Sequence, residues 1–497
     1  MSGPGVIIST STRTGPSTAT VRESSQLFVV GLASRGPANT AVLVQSIAEF
    51  EDIFGGYRAD SYLQPTVETF FEEGGTQVYV ARTVGASATV GSLELLNAAN
   101  VEVATITANG PGSWSSSIGV EVVHPSNATM KVNLYSSGDL VYSTGTVSST
   151  AQAVGRINSS AIAARYVTAT LEAAGESSTY STQAAAVTPT GNPVELAPGN
   201  ENLSGVTEGR HILNLNSFND SFGTGAVTIA DSFTTTTAAA LITHANAYSR
   251  IAILCGALSS DAAAIKAAAV LARGEDHSEH AALYWPWIEI PTSINGVTRI
   301  IPPLGYVAAK RAVAHNQTGP HLPAAGLLSA ARFVLGLTAN VDKTVSDDLD
   351  EAGVNVLRII QNTVRVYGAR SLSADETNFR YITQQDVVNS ITTECYRSLE
   401  DLVFSTIDGR NTIFANIEAR LVVILAAMRD LGALYPAFSA TGKQLDNGYT
   451  VKCDTSINPT TQLATGLVKA KVGIRVSSVG DQIQIDIVKS NLSQSVI

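Results

Sequence analysis

Charge is scarce in this 497-residue sequence. Asp, Glu, Lys and Arg together make up 15% of it, against about a quarter of an ordinary soluble domain. The hydrophobic share is 44%, an ordinary value, so Ser, Thr, Ala and Gly stand where charge would. A surface so thinly charged is expected to meet other protein over much of its area. The net charge is −11 and no basic run occurs, which argues against a coat for nucleic acid or for an anionic membrane. Cysteine is rare as well. Cys255, Cys395 and Cys453 are odd in number, far apart and outside any Cys-x-x-Cys, a pattern that argues against a disulfide framework or a Cys-based zinc site. Reduced, mostly buried thiols suited to a cytoplasm are expected. Long apolar runs are missing. The longest, Leu421 to Met428, falls far short of the about 20 residues that span a bilayer. The opening residues lack a basic segment followed by an apolar one, so no signal peptide is expected. These features describe a soluble protein, made and kept inside a cell until lysis.

Catalytic signatures are missing too. There is no Gly-x-x-x-x-Gly-Lys-[Ser/Thr], since Gly442-Lys443 is followed by Gln444 and lacks the upstream glycine. No Gly-x-Gly-x-x-Gly follows a strand, and no Gly-x-Ser-x-Gly or His-Glu-x-x-His occurs. The polar segment Glu275-Asp-His-Ser-Glu-His280 is the one candidate for an enzyme or metal site. A metal would require His277 and His280 on one helical face with a carboxylate between them. Gly274 just before and a strand just after favour a solvated turn. The carboxylate pairs Asp347-Asp348 and Asp350-Glu351 share one short polar run and read as a solvated loop or helix start. Arg365 and Arg370, flanking Val366-Tyr-Gly-Ala369, read as structural arginines and not as phosphate ligands. No catalytic, cofactor-binding or metal-binding residue is assigned, and no cofactor is expected.

What is present is a chain of changing texture. Residues 1–25 are rich in Ser, Thr, Gly and Pro, with Val6, Ile7 and Ile8 as a single short sticky segment, and read as an extended arm. Residues 26–85 alternate strand and helix. Gln26 to Val30 is a buried-strand pattern, Ser46 caps a helix from Ile47 to Phe54, Tyr62 to Glu72 is a second helix, and Gln77 to Ala81 is the next strand. Residues 86–230 are short alternating strands such as Val101 to Ile106, Ile118 to Val123 and Met130 to Tyr135, the pattern of a sandwich or barrel. Thr188 to Gly199 reads there as a long exposed loop. Residues 231–476 return to α/β, with helices at Ala238 to Tyr248, Ala262 to Ala272 and Thr412 to Leu431, and strands at Ile251 to Cys255 and Ala281 to Tyr284. Residues 477–497 end in the alternation Ile483, Ile485, Ile487. The fold class is therefore a mixed α/β multidomain chain. Its core is built from N- and C-terminal segments, with an inserted β-rich unit and two terminal arms.

Several segments, in order, resemble the phage contractile tail sheath family. They are Pro4-Gly-Val-Ile-Ile8, Phe28-Val-Val-Gly31 with Arg35-Gly-Pro37, Phe70-Phe-Glu-Glu-Gly-Gly75 with Tyr79-Val-Ala-Arg82, and Gly112-Ser-Trp-Ser115. Later come Tyr284-Trp-Pro-Trp287, Ile301-Pro-Pro-Leu-Gly305, Gly353-Val-Asn355, Val366-Tyr-Gly-Ala-Arg370, Gly432-Ala-Leu434 and Val451-Lys-Cys-Asp454. The chain departs from the family pattern after Pro4-Gly-Val6, in the missing Gly-Asn after Trp114, and at Ser477-Ser-Val-Gly480, where a Pro-rich turn is usual.

The resemblance implies a structural subunit, not an enzyme. It implies a homo-oligomer of hexameric rings stacked helically around a tail tube protein, with baseplate and tail terminator proteins as further partners and no direct nucleic acid or membrane insertion. The assembly would be part of a virion, built in the host cytoplasm, or of a phage-derived injection system. Terminal arms would add strands to a neighbour's sheet, with Val6, Ile7, Ile8, Ile483, Ile485 and Ile487 as the strand candidates. Gly3, Gly5, Gly15 and Gly480 would be the hinges. The β-rich unit would face outward.

Overall fold

The structure, a computed structural model, describes residues 23–97, 100–126, 129–173, 192–292 and 296–481. The first segment supplies β1 (Leu27–Gly31), β2 (Ala41–Val44), α1 (Ile47–Phe54), α2 (Leu63–Glu72) and β3 (Val78–Arg82). Every residue of β1 is buried, as expected of a strand covered on both faces. Ser46 caps α1, its side chain accepting the Glu49 N–H.

The next segment supplies β4 (Ser92–Leu96), β5 (Glu102–Ala108), β6 (Ile118–Ser126), β7 (Thr129–Ser136), β8 (Asp139–Ser143), α3 (Thr150–Ser159), β9 (Val167–Leu171) and β10 (Val194–Glu195). The strands form two antiparallel sheets, β4-β5-β9 and β10-β6-β7-β8. Val103 and Ile106 of the first share one core with Val120, Val132 and Leu134 of the second and with Ile157 of α3. Two expectations are corrected here. The helix α3 had no place among the expected strands. The described part of the expected exposed loop is mostly exposed but not all loop, since β10 pairs with β6 and Leu196 is buried behind it.

The third segment supplies α4 (Glu208–Asn214), β11 (Ala226–Ile229), α5 (Thr235–Ala247), β12 (Ile251–Cys255), α6 (Ala262–Arg273), β13 (Ala281–Trp285), β14 (Ile288–Pro291), β15 (Thr298–Ile301), α7 (Leu304–Gln317), β16 (Gly336–Leu337), α8 (Lys343–Glu351), β17 (Val354–Ile360) and β18 (Thr363–Tyr367). Strands from the first and third segments unite in an eight-stranded sheet ordered β18-β17-β13-β12-β11-β1-β3-β2. Its inner strands run parallel and its two edge strands antiparallel. One face carries α2 and α7 through Leu63, Val67, Leu304 and Val307. The other carries α5, α6 and α8 through Leu241, Ile265 and Leu349. This is the two-sided burial that parallel sheets require.

The last segment supplies α9 (Ile382–Leu399), α10 (Thr412–Asp430), β19 (Tyr449–Lys452), α11 (Thr460–Leu463) and β20 (Lys471–Ile474). It has small cores of its own, around Val387, Leu425 and Leu434 and around Phe414, Ile417 and Leu421. Its junction with the large sheet is polar. Buried Asp386 on α9 accepts the Arg311 Nε–H at 3.2 Å and lies 3.4 Å from His315 Nε2, both on α7. Asn389 donates to the Arg250 carbonyl at 3.1 Å. These polar contacts work beside Ile382 of α9, which joins the core of the large sheet.

Candidate assembly surfaces

The chain leaves the middle of the large sheet in two directions, β1 to β3 one way and β11, β12, β13 and β17 the other. In open parallel sheets the crevice at such a switch point, beyond the carboxyl ends of the strands, is where ligands bind. Here the chain's own carboxylate sits in it. Asp231 accepts the Tyr62 N–H at 2.6 Å, the Leu32 N–H at 2.7 Å and the Ser61 hydroxyl at 2.9 Å. Tyr62 is the N-cap of α2, so Asp231 holds the place an anion takes at a helix N-terminus. A Cβ on Gly31 would lie 2.9 Å from Asp231 Oδ2, so only glycine admits the carboxylate this closely. Burial pushes the Asp231 carboxyl up to about 6, against the pull of its three donors. Tyr62, Phe233 and Trp287 pack edge to face nearby, with ring centroids 5.1 and 5.2 Å apart. A cavity of about 60 Å³ remains beside them, lined by Thr234, Thr237, Leu241 and Cys255. Thr237 is already committed to Glu208 at 2.8 Å.

The residues singled out in the sequence fall apart as a site. His277 is exposed, in the left-handed region at φ 64°, and 3.3 Å from Glu279. His280 is buried, its Nδ1 3.0 Å from the Arg250 carbonyl and its Nε2 3.0 Å from Gln385. The two imidazoles serve different surroundings: Glu275, Asp276 and His277 are exposed, as a solvated turn requires, while His280 is not. Among the described residues no group of three His, Cys, Asp or Glu side chains is placed to hold a metal. Asp347, Asp348 and Asp350 lie on the second half of α8, not at a helix start, and pair with Lys343, Lys266 and Arg370. Val6, Ile7, Ile8, Ile483, Ile485, Ile487, Gly3, Gly5 and Gly15 lie outside the described residues. Gly480 is exposed, with open space where a Cβ would stand.

The sheet edges differ in what they offer a neighbour. At β18 the edge is sealed, because the Ser329 hydroxyl accepts the Val366 N–H at 3.0 Å and lies 3.2 Å from its carbonyl, while Ala331 donates to the Val364 carbonyl at 2.9 Å. Among the described residues the hairpin β19–β20 forms a two-stranded sheet, with one further bridge from Val476 to Leu434. Edges of that kind accept an added strand.

Three buried charged side chains, two of them ion-paired, went unread in the sequence. Glu73, wholly buried, meets Lys310 Nζ at 2.6 Å and accepts the N–H groups of Arg332, Phe333 and Val334 at about 3 Å. Arg82, also wholly buried, donates to the carbonyls of Ala33, Gly36 and Pro111 and lies 3.2 Å from Glu201. Arg250 donates to the carbonyls of Gly223, Phe218 and Asn219. The only signal was a charged residue at the end of a helix or strand pattern.

No protein-family model and no curated protein matches the chain. Solved structures do. A sheath protein of an extracellular contractile injection system, in its contracted state, is 14% identical with a TM-score of 0.55, covering 99% of this chain and 98% of that one. The anti-feeding prophage helical sheath, also contracted, is 13% identical with a TM-score of 0.56, over 99% of this chain and all of that one. A sheath tail protein from Listeria innocua is 14% identical with a TM-score of 0.58, covering 87% of this chain and 89% of that one. The chain has the fold of contractile sheath proteins, matched over 87–99% of its length. Among the described residues no helix is long and apolar enough to cross a membrane.

Proposed function

We propose that this protein is a structural subunit of a contractile tail sheath. It polymerises as stacked hexameric rings around a tail tube and shortens to drive the tube through a host envelope. The observation that carries the reading is the full-length match to sheath proteins, which spans the large sheet, the β-rich unit and the C-terminal segment alike. The filled switch-point crevice supports it, since the usual ligand seat of such a sheet holds Asp231. The chain then does mechanical and not chemical work, and subunits move largely as rigid bodies on hinged arms. Residues 1–25 and 477–497 act as those arms, adding strands to neighbours, with the open edges of β19–β20 as the accepting surface. The β-rich unit from β4 to β10 faces outward, its limit drawn in from residue 230 because β11 belongs to the large sheet. Such contacts are heterologous, so they propagate into rings or helices and do not close as dimers.

The sheath of a phage-derived injection system is a second reading of the same device, favoured by the likeness to the extracellular injection system and to the anti-feeding prophage. Negative-stain electron microscopy of the purified full chain tests the main claim. Hollow striated tubes or six-fold rings are expected. A chain that stays as separate globules at every concentration tried overturns it.

A further inference from the structure

The strongest unexplained feature lies at the β18 end of the large sheet. Gln361 and Asn362 join β17 to β18 as a two-residue turn with both φ angles positive, 52° and 60°, the geometry that fits the twist of a hairpin. That turn sets the register Arg358 opposite Arg365, and directly opposed residues share one face of the sheet. Two arginine side chains thus share one face at directly opposed positions, an arrangement that costs stability when nothing neutralises it. Neither has an ion-pair partner among the described residues. Arg358 donates to the Val341 carbonyl at 3.2 Å and stacks over Tyr367 at 5.1 Å. Arg365 reaches only Gln361, at 3.3 Å, and its Nε is buried without an acceptor. Leu335, Ile359 and Tyr367 are exposed in the same region.

The β2 end of the same sheet is the electrostatic opposite. There α1 packs beside β2, and α2 beside α1. Burial, with the like charges of Glu51 on α1 and Glu72 on α2 adding to it, raises the carboxyl of Glu68 on α2. Arg299 faces Glu68 from a distance and is stacked on Tyr57 at 4.0 Å. None of the three glutamates forms an ion pair among the described residues, and Glu51 and Glu72 are exposed.

We propose that the two ends dock on each other between copies of this chain, the Arg358–Arg365 pair of one subunit meeting the Glu51–Glu68–Glu72 face of the next. This rests on the sheath reading and names the lateral contact it needs. A basic patch at one end and an acidic patch at the other make a head-to-tail contact, which closes into a ring when the rotation allows. Because Ser329 seals the β18 edge, the contact is made by side chains and not by an added strand. Complementary charge then sets register and rejects the reversed orientation.

The test uses the full chain and charge reversal. One variant carries Arg358→Glu and Arg365→Glu, a second Glu51→Lys and Glu72→Lys, and a third all four changes. A milder variant with Arg358→Gln and Arg365→Gln guards against misfolding. Circular dichroism melts identify the folded variants, and light scattering with electron microscopy reads assembly. Either reversal alone should raise the concentration needed for assembly at least about tenfold. The 1:1 mixture of the two, and the four-fold variant, should restore it. If wild type assembles and folded single-end variants assemble equally well, the proposal falls and the sheath reading stands. Loss of assembly at the arginine end alone, without rescue by the mixture, also overturns it, because the arginines would then face another partner. A wild-type chain that remains monomeric overturns the sheath reading, and this contact with it.

Discussion

Asp231 Oδ1 accepts the backbone N–H of Tyr62 at 2.6 Å, and this contact joins strand β11 to the first turn of α2 across 169 positions of sequence. With Leu32 and Ser61 as further donors, one carboxylate holds the two halves of the sheet at their shared boundary. The large sheet is built from segments separated by the whole β-rich unit, so it needs a fastening at that boundary. Asp231 supplies one where related topologies place a ligand.

Replacing Asp231 with Ala should therefore destabilise the fold at neutral pH, by about 2–4 kcal/mol, because three donors lose an acceptor that no water easily replaces. The size of the loss should depend on pH. The carboxyl is raised to about 6 in the folded chain from an ordinary value near 3.8. Its ionisation therefore opposes folding, and its contribution is fullest below pH about 4 and declines as pH rises through 6. The stability of wild type minus that of D231A, from urea melts, should fall by about 1–3 kcal/mol between pH 4 and 7. A flat difference would show that Asp231 is ionised at no cost.

Glu201 is the counter-charge for the buried Arg82 and also meets Arg58 at 2.9 Å. Burial drags the Arg82 guanidinium down to about 10. Glu201→Gln leaves that cation without its carboxylate at the junction with the β-rich unit, and a loss of about 2–4 kcal/mol is expected. Proteolysis between residues 85 and 115 should quicken in parallel. Unchanged melting and unchanged cleavage would mean that the carbonyls of Ala33, Gly36 and Pro111 hold Arg82 unaided.

The two histidines of the acidic segment should separate cleanly. His277→Ala changes an exposed side chain and should shift stability by no more than about 0.5 kcal/mol. His280→Ala strips a buried imidazole from Arg250 and Gln385 and should cost about 1–3 kcal/mol. Burial also lowers the His280 pKa, so its neutral ring adds stability that is lost as pH falls through its ordinary value. Equal effects from the two changes, or stoichiometric zinc in the pure protein, would contradict this placement.

How far the fold could be read tracks where the polar groups sit. The helix α10 was legible because Ile413, Ile417, Leu421, Ile424 and Met428 repeat at three- and four-residue steps, with Gly432 as the stop just beyond. The buried runs of β1 and β12 were legible for a similar reason. The helix α7 was not, because it is enclosed almost all round, with Lys310, Arg311 and His315 buried among its apolar residues. Its partners Glu73 and Asp386 come from far along the chain, so no local pattern announces them. The first half of α9, with Gln384, Gln385, Asp386 and Asn389 buried, was hidden in the same way. Asp231 looks like any aspartate after a strand until the fold brings Leu32 and Tyr62 to it. The opposition of Arg358 and Arg365 needs only the Gln361-Asn362 turn, and a hairpin count from that dipeptide would have found it.

Deleting residues 482–497 should leave a folded chain that forms no tubes. Among the described residues the five cores are already built, and the hairpin β19–β20 closes on itself by its own ladder from Tyr449–Ile474 to Lys452–Lys471. A truncated subunit that keeps these contacts should melt within a few degrees of the full chain. Ile483, Ile485 and Ile487 alternate with Gln484 and Asp486, the pattern of a strand that needs a sheet, and the proposed sheet belongs to a neighbour. If the segment instead completed its own subunit, its loss would remove a row of main-chain hydrogen bonds and an apolar face. That would cost several kcal/mol of the roughly 5–15 kcal/mol that hold a domain together. Circular dichroism and electron microscopy on the same sample separate the cases. A near-normal melt without tubes supports strand exchange between subunits, whereas a collapsed melt, or normal tubes from the shortened chain, rules it out for this arm.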